Sequence, residues 1–215
     1  YGIPWYVILG LWAAIAIGLH VYQVGFIVKL IRLGKDDDRF DSWKQRMKEF
    51  LTDWLGQRKV VEDKLAGYAH ALIFWGFLML VSDVIDLGTG GLFLELLEII
   101  YLANIWNLIV DIGYTMAGIG IMFALYRRLI VRPEKLKNAS LEGVLILFAI
   151  LGIVLTAFIV EAGYMLGDDT EYNYWEPVGV LFAMQMESLD KESLRTVVDA
   201  SYWIHMILIG GFLIE

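Results

Sequence analysis

The sequence predicts an all-α integral membrane protein, a five-transmembrane-helix bundle with its N-terminus outside and its C-terminus in the cytoplasm. The first observation is composition: 59% of the 215 residues are hydrophobic and the mean hydropathy is +0.62, well above an ordinary soluble domain. The second is a set of five long apolar stretches. The third is the concentration of basic residues in two of the connections between them.

The five apolar stretches span residues 5–31, 65–87, 105–130, 141–165 and 197–215. A transmembrane helix needs about 20 mostly apolar residues, which the first four supply and the fifth nearly supplies. A shorter run at 92–102 carries Glu95 and Glu98, is too short to span, and predicts an interfacial helix. We expect residues 1–215 to form a single membrane domain.

The chain does not begin with methionine and stops at Glu215 inside an apolar helix pattern. We therefore expect a fragment or a processed form, truncated within the fifth helix.

The basic residues indicate the orientation. Fifteen of the 17 Lys and Arg residues lie in or beside the first and third connections, and the others are Lys191 and Arg195. Because cytoplasmic connections are enriched in Lys and Arg, these two connections are predicted to be cytoplasmic. The expected location is the inner (cytoplasmic) membrane, crossed several times. Pro133, in the third connection, should stop the third helix.

Composition also excludes several classes of function. The chain has no cysteine, which excludes disulfides, thiolate metal sites and a cysteine-held iron–sulfur cluster within it. Its net charge of −8, without a basic patch interleaved with aromatic residues, argues against nucleic acid as a partner.

Three histidines, His20, His70 and His205, lie in three of the apolar stretches. Ionisable side chains at membrane depth usually line a pathway or bind a ligand, and histidines on facing helices can hold a haem iron at both axial positions. The alternative is that they form hydrogen bonds between helices.

Depth decides which histidines can pair. At 1.5 Å per residue, His70 lies roughly 7 Å from the cytoplasmic boundary, His20 roughly 16 Å and His205 roughly 18 Å. We therefore expect an outer haem between His20 and His205. An inner haem would be held by His70 and a partner beyond Glu215.

Three segments resemble the nitrate reductase gamma subunit family, in the branch fused or coupled to heterodisulfide-reductase-like iron–sulfur proteins. They are GYAHALIFWGF at 67–77, YRRLIVRP at 126–133 and YWIHM at 202–206. In order, they resemble the family's second helix, the basic turn after its third, and the start of its last.

The resemblance implies a di-haem b membrane anchor that passes electrons between quinone and a cytoplasmic iron–sulfur partner. It matches His70 to the inner haem and His205 to the outer one. The chain departs from the family at Leu80, where nitrate reductase members carry a second histidine. His20 would have to supply that ligand, and otherwise one haem is expected instead of two. The fused branch implies a cysteine-rich cytoplasmic C-terminal domain.

Four acids, Asp83, Asp86, Asp111 and Glu161, lie within or at the edges of the apolar stretches. Quinone chemistry moves protons together with electrons, and an intramembrane acid is a candidate for that role. Glu161 and Asp83 are the favoured proton-transfer residues. The alternative for these acids is hydrogen bonding between helices or exposure at the interface.

Three aromatic residues close to these acids in sequence, Tyr164, Tyr202 and Trp203, are expected to line a pocket for a quinone or menaquinone ring.

Residues 34–64 form the first cytoplasmic connection. Its apolar residues recur at helical spacing, which predicts an amphipathic helix. Such a helix either lies on the inner membrane surface or docks the iron–sulfur subunit or domain.

The function predicted is therefore electron transfer through haem b between the quinone pool and a cytoplasmic iron–sulfur oxidoreductase, as one component of a quinone-linked respiratory complex. The alternative is a haem-free membrane anchor or a proton-coupled transporter bundle that uses buried His and Asp.

Overall fold

The computed structural model describes residues 5–34, 41–62, 64–89, 92–99, 101–134, 141–167 and 171–214, with backbone alone at 5, 6, 9, 81–89, 213 and 214. Every regular element in these ranges is helical. The helices are α1 (Trp5–Ile31), α2 (Trp43–Glu49), α3 (Lys64–Thr89), α4 (Leu92–Ile99), α5 (Ala103–Tyr126), α6 (Leu141–Met165), α7 (Pro177–Met186) and α8 (Lys191–Ile214). Wide π-helical turns, Phe50–Leu55 and Arg127–Val131, continue α2 and α5.

The all-α class is confirmed, and the helices suit a membrane. By length and composition, three segments of the described chain can cross a bilayer: Gly10–Ile31, Ala103–Val131 and Leu141–Met165. Helices α3 and α8 are also long, with 26 and 24 residues, but α8 opens with a charged turn. The five-span count and the orientation of the termini stay predictions.

Helix α7 was not predicted from the sequence, and α8 begins six residues before the predicted start of the fifth helix. Pro177 stands in the first turn of α7, a position that its fixed φ angle suits. Asp190 caps α8: its Oδ1 accepts hydrogen bonds from the backbone N–H groups of Ser193 (2.9 Å) and Glu192 (3.1 Å). The Asp190 carboxylate therefore sets the start of α8. This start lies before the apolar residues from which the helix was predicted.

The end of α5 agrees with the predicted stop. After the π-turn, Arg132 adopts a left-handed conformation with φ 45°, and Pro133 follows. The short helix predicted at 92–102 is likewise present as α4, and its position at a membrane interface stays a prediction.

Helices α3 and α5 pack closely and run antiparallel, because glycines let their backbones approach. A Cβ atom on Gly76 would lie 2.6 Å from the carbonyl oxygen of Gly113, and one on Gly120 would lie 2.8 Å from that of Ala69. Small residues at such contacts are the usual device for packing helices in a bilayer.

The rest of the bundle is built on α6. Its Phe158 lies against Tyr114 of α5, with ring centroids 5.6 Å apart, in a cluster that also buries Ile121 and Val154. On another side α6 packs antiparallel to α8, since Gly152 faces Leu208. The short helix α7 also packs mainly on α6.

Helix α1 lies at the edge of the bundle and packs on α8. The Trp12 indole Nε1 donates a hydrogen bond to the carbonyl of Met206 at 2.9 Å, and its ring occupies the space where Gly210 lacks a side chain. Among the α1 side chains that the structure describes, Ala16 alone is buried. Most of the surface of α1 is therefore apolar and exposed.

We predict that Gly76→Val destabilises the bundle by about 1–3 kcal/mol, because the added methyl groups must push α3 away from α5. The expected fall in the thermal unfolding midpoint in detergent is roughly 3–10 °C. The matched control is Gly18→Val, since a Cβ atom at Gly18 meets nothing within 4 Å. Equal midpoints for the two variants would contradict this account of the α3–α5 contact.

Candidate functional site

His205 of α8 is held against α6. Its Nδ1 lies 3.0 Å from the carbonyl oxygen of Ile153 and 3.0 Å from Oγ1 of Thr156. The Thr156 hydroxyl also lies 2.7 Å from the carbonyl of Gly152, to which it donates. The imidazole therefore has a fixed position between two helices, in a half-buried site.

These contacts favour one tautomer of His205. A carbonyl oxygen can only accept, so the contact with Ile153 assigns the proton to Nδ1. In the neutral ring Nε2 then keeps its lone pair, and a hydrogen bond from the other ring nitrogen to a backbone carbonyl is how ligating histidines are usually oriented. His205 thus has the form that an axial ligand to iron requires.

His70 lies near the start of α3 and is exposed. It is two turns from Phe77 on one face of the helix, and Phe77 packs against the cluster between α5 and α6. His70 is therefore on the side of α3 that is turned toward these helices.

Helix pairings place His70 and His205 closer in depth than the sequence suggested. Ala69, next to His70 on α3, lies against Gly120 of α5. Two residues away along α5, Gly118 faces Val154 of α6. Val154 lies between Ile153 and Thr156, the two residues that contact His205. The offset is three to four residues, or about 5 Å, instead of the expected 10 Å or so. Helices α3 and α8 make no extensive contact within the described chain.

His20 is not level with His205 in this structure. The bond from Trp12 to Met206 ties α1 to α8 beside His205, while His20 is eight residues further along α1, about 12 Å away. His20 is also exposed. The structure does not bring these two histidines together, so their pairing stays a prediction.

Asp111 of α5 is the most deeply buried acid among the described residues, with 1% of its surface exposed. Its Oδ1 accepts hydrogen bonds from the backbone N–H groups of Gly179 (3.0 Å) and Val178 (3.2 Å). These groups lie in the first turn of α7, where N–H groups have no partner within the helix and a negative charge is favoured. Asp111 therefore acts as a cap supplied by another helix, in agreement with the structural alternative for this acid.

Glu161 of α6 meets the same end of α7. Its Oε2 lies over Gly179, 2.9 Å from where a Cβ atom would be, and its carboxyl is hydrogen-bonded to that of Glu176. Asn173 also donates to Glu176, over 2.6 Å. Two carboxylates that close repel each other, so the arrangement favours a proton on one of the pair.

Burial raises the pKa of Glu176, and the nearby charge of Asp111 adds to this effect. A carboxyl with a raised pKa in the folded state binds its proton more tightly there than in the unfolded chain. Its contribution to stability is therefore complete below about pH 4.5, its ordinary value, and is lost as the pH rises through the folded-state pKa.

Other predicted residues are only partly described. Asp83 and Asp86 belong to α3, and their side chains lie outside the described part of the chain. Tyr164 is 77% exposed. The rings of Tyr202 and Trp203 meet edge to face, 5.8 Å apart. The described residues contain no group of three or more His, Asp or Glu side chains that could hold a metal ion.

Sequence reasoning missed Glu176 as a member of this site. Its signal was present, because an acid directly before a proline marks a helix start, but nothing in the sequence indicates that Glu161 and Asp111 converge there. Thr156, beside His205, was missed for the same reason.

Comparison with known proteins finds relatives named for iron–sulfur and quinone chemistry. The chain is 25% identical, over 94% of its length, to a probable iron-sulfur-binding oxidoreductase, FadF, of Bacillus subtilis (strain 168). It is 28% identical, over 89% of its length, to an EtfAB:quinone oxidoreductase of Syntrophomonas wolfei subsp. wolfei (strain DSM 2245B / Goettingen).

The chain spans less than a third of these relatives, 28% and 29% of their lengths. No protein-family profile matches it. No solved structure matches it either. The likeness to nitrate reductase gamma subunits therefore rests on the sequence segments alone.

We predict that Asp111→Ala loosens helix α7, because it leaves the Val178 and Gly179 N–H groups without an acceptor at a cost of about 1–3 kcal/mol. Amide hydrogen exchange over the first turns of α7 should speed up by roughly 10- to 100-fold. Asp111→Asn is the control, since its amide oxygen can still accept. Unchanged exchange in Asp111→Ala would contradict the capping role.

Proposed function

We propose that this chain is the haem b-binding membrane part of an oxidoreductase that transfers electrons between quinone and a cytoplasmic iron–sulfur partner. The two relatives are named as an iron–sulfur-binding oxidoreductase and a quinone oxidoreductase. Both are more than three times as long as the stretch matched here, so the proposed partner is either a separate subunit or a further domain.

The observation that carries the haem proposal is the 3.0 Å contact between Nδ1 of His205 and the carbonyl oxygen of Ile153. With Nδ1 bonded to Ile153, Nε2 can bind iron without a change of protonation. Haem b would supply one-electron transfer when bound. The protein's part is to fix the imidazole, and the Ile153 carbonyl increases its basicity through the Nδ1 proton.

His70 is proposed as a ligand of a second, inner haem, and His20 as the partner of His205. The first proposal is supported by the resemblance of residues 67–77 and by the side of α3 on which His70 lies. The pairing of His20 with His205 is supported by their predicted depths in the membrane. The position of α1 along α8, which places His20 about 12 Å from the level of His205, does not support it.

We further propose five membrane crossings, with α3 and α8 added to the three helices that meet the requirement by length and composition. Antiparallel packing of α3 on α5 and of α8 on α6 supports this topology, because each pair is in contact over several turns. It places the basic turns after α1 and α5 on the cytoplasmic side.

Glu161 is proposed to move protons for quinone chemistry. Its support is the approach of the Glu161 carboxyl to Glu176 at the start of α7, because a pair of neighbouring carboxyl groups favours one bound proton that it can accept or release. Asp83 remains a proposed second acid, and Tyr164, Tyr202 and Trp203 a proposed ring pocket, on the grounds of sequence position.

A second candidate function is a haem-free anchor or a proton-coupled transporter. It is favoured by the meeting of Asp111, Glu161 and Glu176 at one helix end, because convergent acids at membrane depth are typical of proton pathways.

A reduced-minus-oxidised visible spectrum of the purified protein tests the main proposal. We expect a b-type band that His205→Ala diminishes and Thr156→Val retains, because Ile153 still orients the ring in the latter variant. His20→Ala should remove the same haem as His205→Ala, if the two share an iron.

The outcomes separate the candidates. Absence of a b-type band would contradict haem binding and favour the transporter or anchor. A normal haem content in His20→Ala would refute the pairing of His20 with His205 and leave the other ligands unaffected.

Glu161→Gln tests proton transfer. A glutamine keeps the shape and the hydrogen bond to Glu176 but cannot exchange a proton, so turnover with a soluble menaquinone analogue should fall by about two orders of magnitude. Haem reduction by dithionite should not change. Glu142→Gln, an exposed acid of the same helix, is the control, and equal turnover in the two variants would exclude Glu161.

A further inference from the structure

The connection between α1 and α3 carries an aromatic stripe, defined here as Trp43, Met47, Phe50, Leu51 and Trp54. These residues recur on one side of α2 and of the π-turn that continues it. Trp43 is 64% exposed, and Phe50, Leu51 and Trp54 are each about half exposed. The stripe is therefore an apolar surface on a segment that is otherwise charged.

The stripe contacts α3 at a defined position along the helix axis. Trp54 stacks on Phe50, with ring centroids 4.8 Å apart, and meets Phe74 of α3 edge to face at 5.3 Å. The chain then returns along α3, where a side chain on Gly67 would collide with the carbonyl of Val60. These contacts fix the connection against the first turns of α3.

Their positions along α3 correspond to depth in a membrane. Gly67 and Phe74 are three and ten residues beyond Lys64, which is about 4 Å and about 15 Å along the axis. The Phe74 ring also points back toward the start of the helix. An amphipathic helix at a bilayer surface has its apolar side about 5–10 Å inside the headgroup boundary, which is the range that these contacts cover.

Basic residues are concentrated beside the stripe. Residues 34–64 as a whole contain eight Lys and Arg residues and eight acids, whereas residues 42–61 contain five Lys and Arg residues and two acids. One acid, Asp53, is paired with both Arg58 (2.6 Å) and Lys59 (3.0 Å), and the hydrogen bond from Lys59 is the main cause of the lowered pKa of Asp53. Lys44 and Lys48 flank the stripe and are exposed.

We propose that the aromatic stripe is immersed in the lipid leaflet next to the start of α3, with Lys44 and Lys48 in contact with anionic headgroups. The position of the Trp54–Phe74 contact along α3 favours lipid over a soluble protein partner. A soluble protein could cover the stripe at that depth only if it passed below the lipid headgroups. The inference requires that α3 crosses the membrane and is independent of haem and quinone.

The absence of cysteine from this chain makes site-directed spin labelling direct. Leu51→Cys places a nitroxide on the stripe, and Gln45→Cys places one on the opposite side of the same segment. The 215-residue chain is reconstituted in nanodiscs of phosphatidylcholine with phosphatidylglycerol. Collision with oxygen, which is enriched in lipid, is compared with collision with a water-soluble nickel chelate.

The expected result is that oxygen dominates at Leu51→Cys and nickel at Gln45→Cys. Nickel dominance at Leu51→Cys would overturn the proposal, since the stripe would then face water. Protection of Leu51→Cys from both reagents would also overturn it, because a partner or a second copy would then cover the stripe.

A second arm tests the charges. Lys44→Gln with Lys48→Gln should make the Leu51→Cys label shallower in these nanodiscs and leave its depth unchanged in phosphatidylcholine alone. The control neutralises Lys191 and Arg195, at the start of α8, and should have no effect. An equal depth with and without Lys44 and Lys48 would refute the contact with anionic headgroups.

Discussion

The hydrogen bond from His205 to the carbonyl of Ile153 is the interaction on which the central part of this bundle depends. An imidazole among apolar side chains must satisfy its polar nitrogens, because an unsatisfied group there costs about 1–3 kcal/mol. A helix carbonyl has a second lone pair that can accept this bond without loss of its own helical partner. The bond thus fixes the rotation of α8 on α6 and the tautomer of the ring together.

Helix α7 is positioned by the same requirement at the other end of α6. The N–H groups of its first turn would be costly in apolar surroundings, and Asp111 from α5 accepts from two of them. Because Glu161 and Glu176 approach the same turn, three acids lie together at the start of α7. The helix end favours a negative charge, and a charge on any one of these acids makes a second full charge nearby unfavourable, which is consistent with a proton retained by the Glu161–Glu176 pair.

Hydropathy alone predicted most of the helices, including the bounds of α1 and α6, because a helix that crosses lipid must be apolar over its whole length. It failed at α7 and at the start of α8, where Pro177 and the Asp190 cap decide the boundary. Depth counting within each helix gave relative positions that differ from those in the packed bundle, for a different reason. Depth counting assumed that every helix starts or ends at the same membrane boundary. The position of α1 along α8 is instead set by the packing of Trp12 against Gly210, a contact between two helices that the sequence of either one does not reveal.

Part of the site could be predicted from the sequence, because a polar residue within an apolar stretch stands out, whereas its partners on other helices do not. His205 was found because a histidine in an apolar stretch is conspicuous, but its partners Ile153 and Thr156 are ordinary residues of a neighbouring helix. Glu161 was found in the same way, and Glu176 was missed because an acid in a connection is usually solvated. The two residues lie at one end of α7, which is where the proposed proton route would run. The ring of His205 in α8 contacts α6 about two turns before Glu161. The proposed haem ligand and the proposed proton carrier are therefore compatible with one function, because quinone oxidation or reduction requires both an electron carrier and a proton carrier within a short distance.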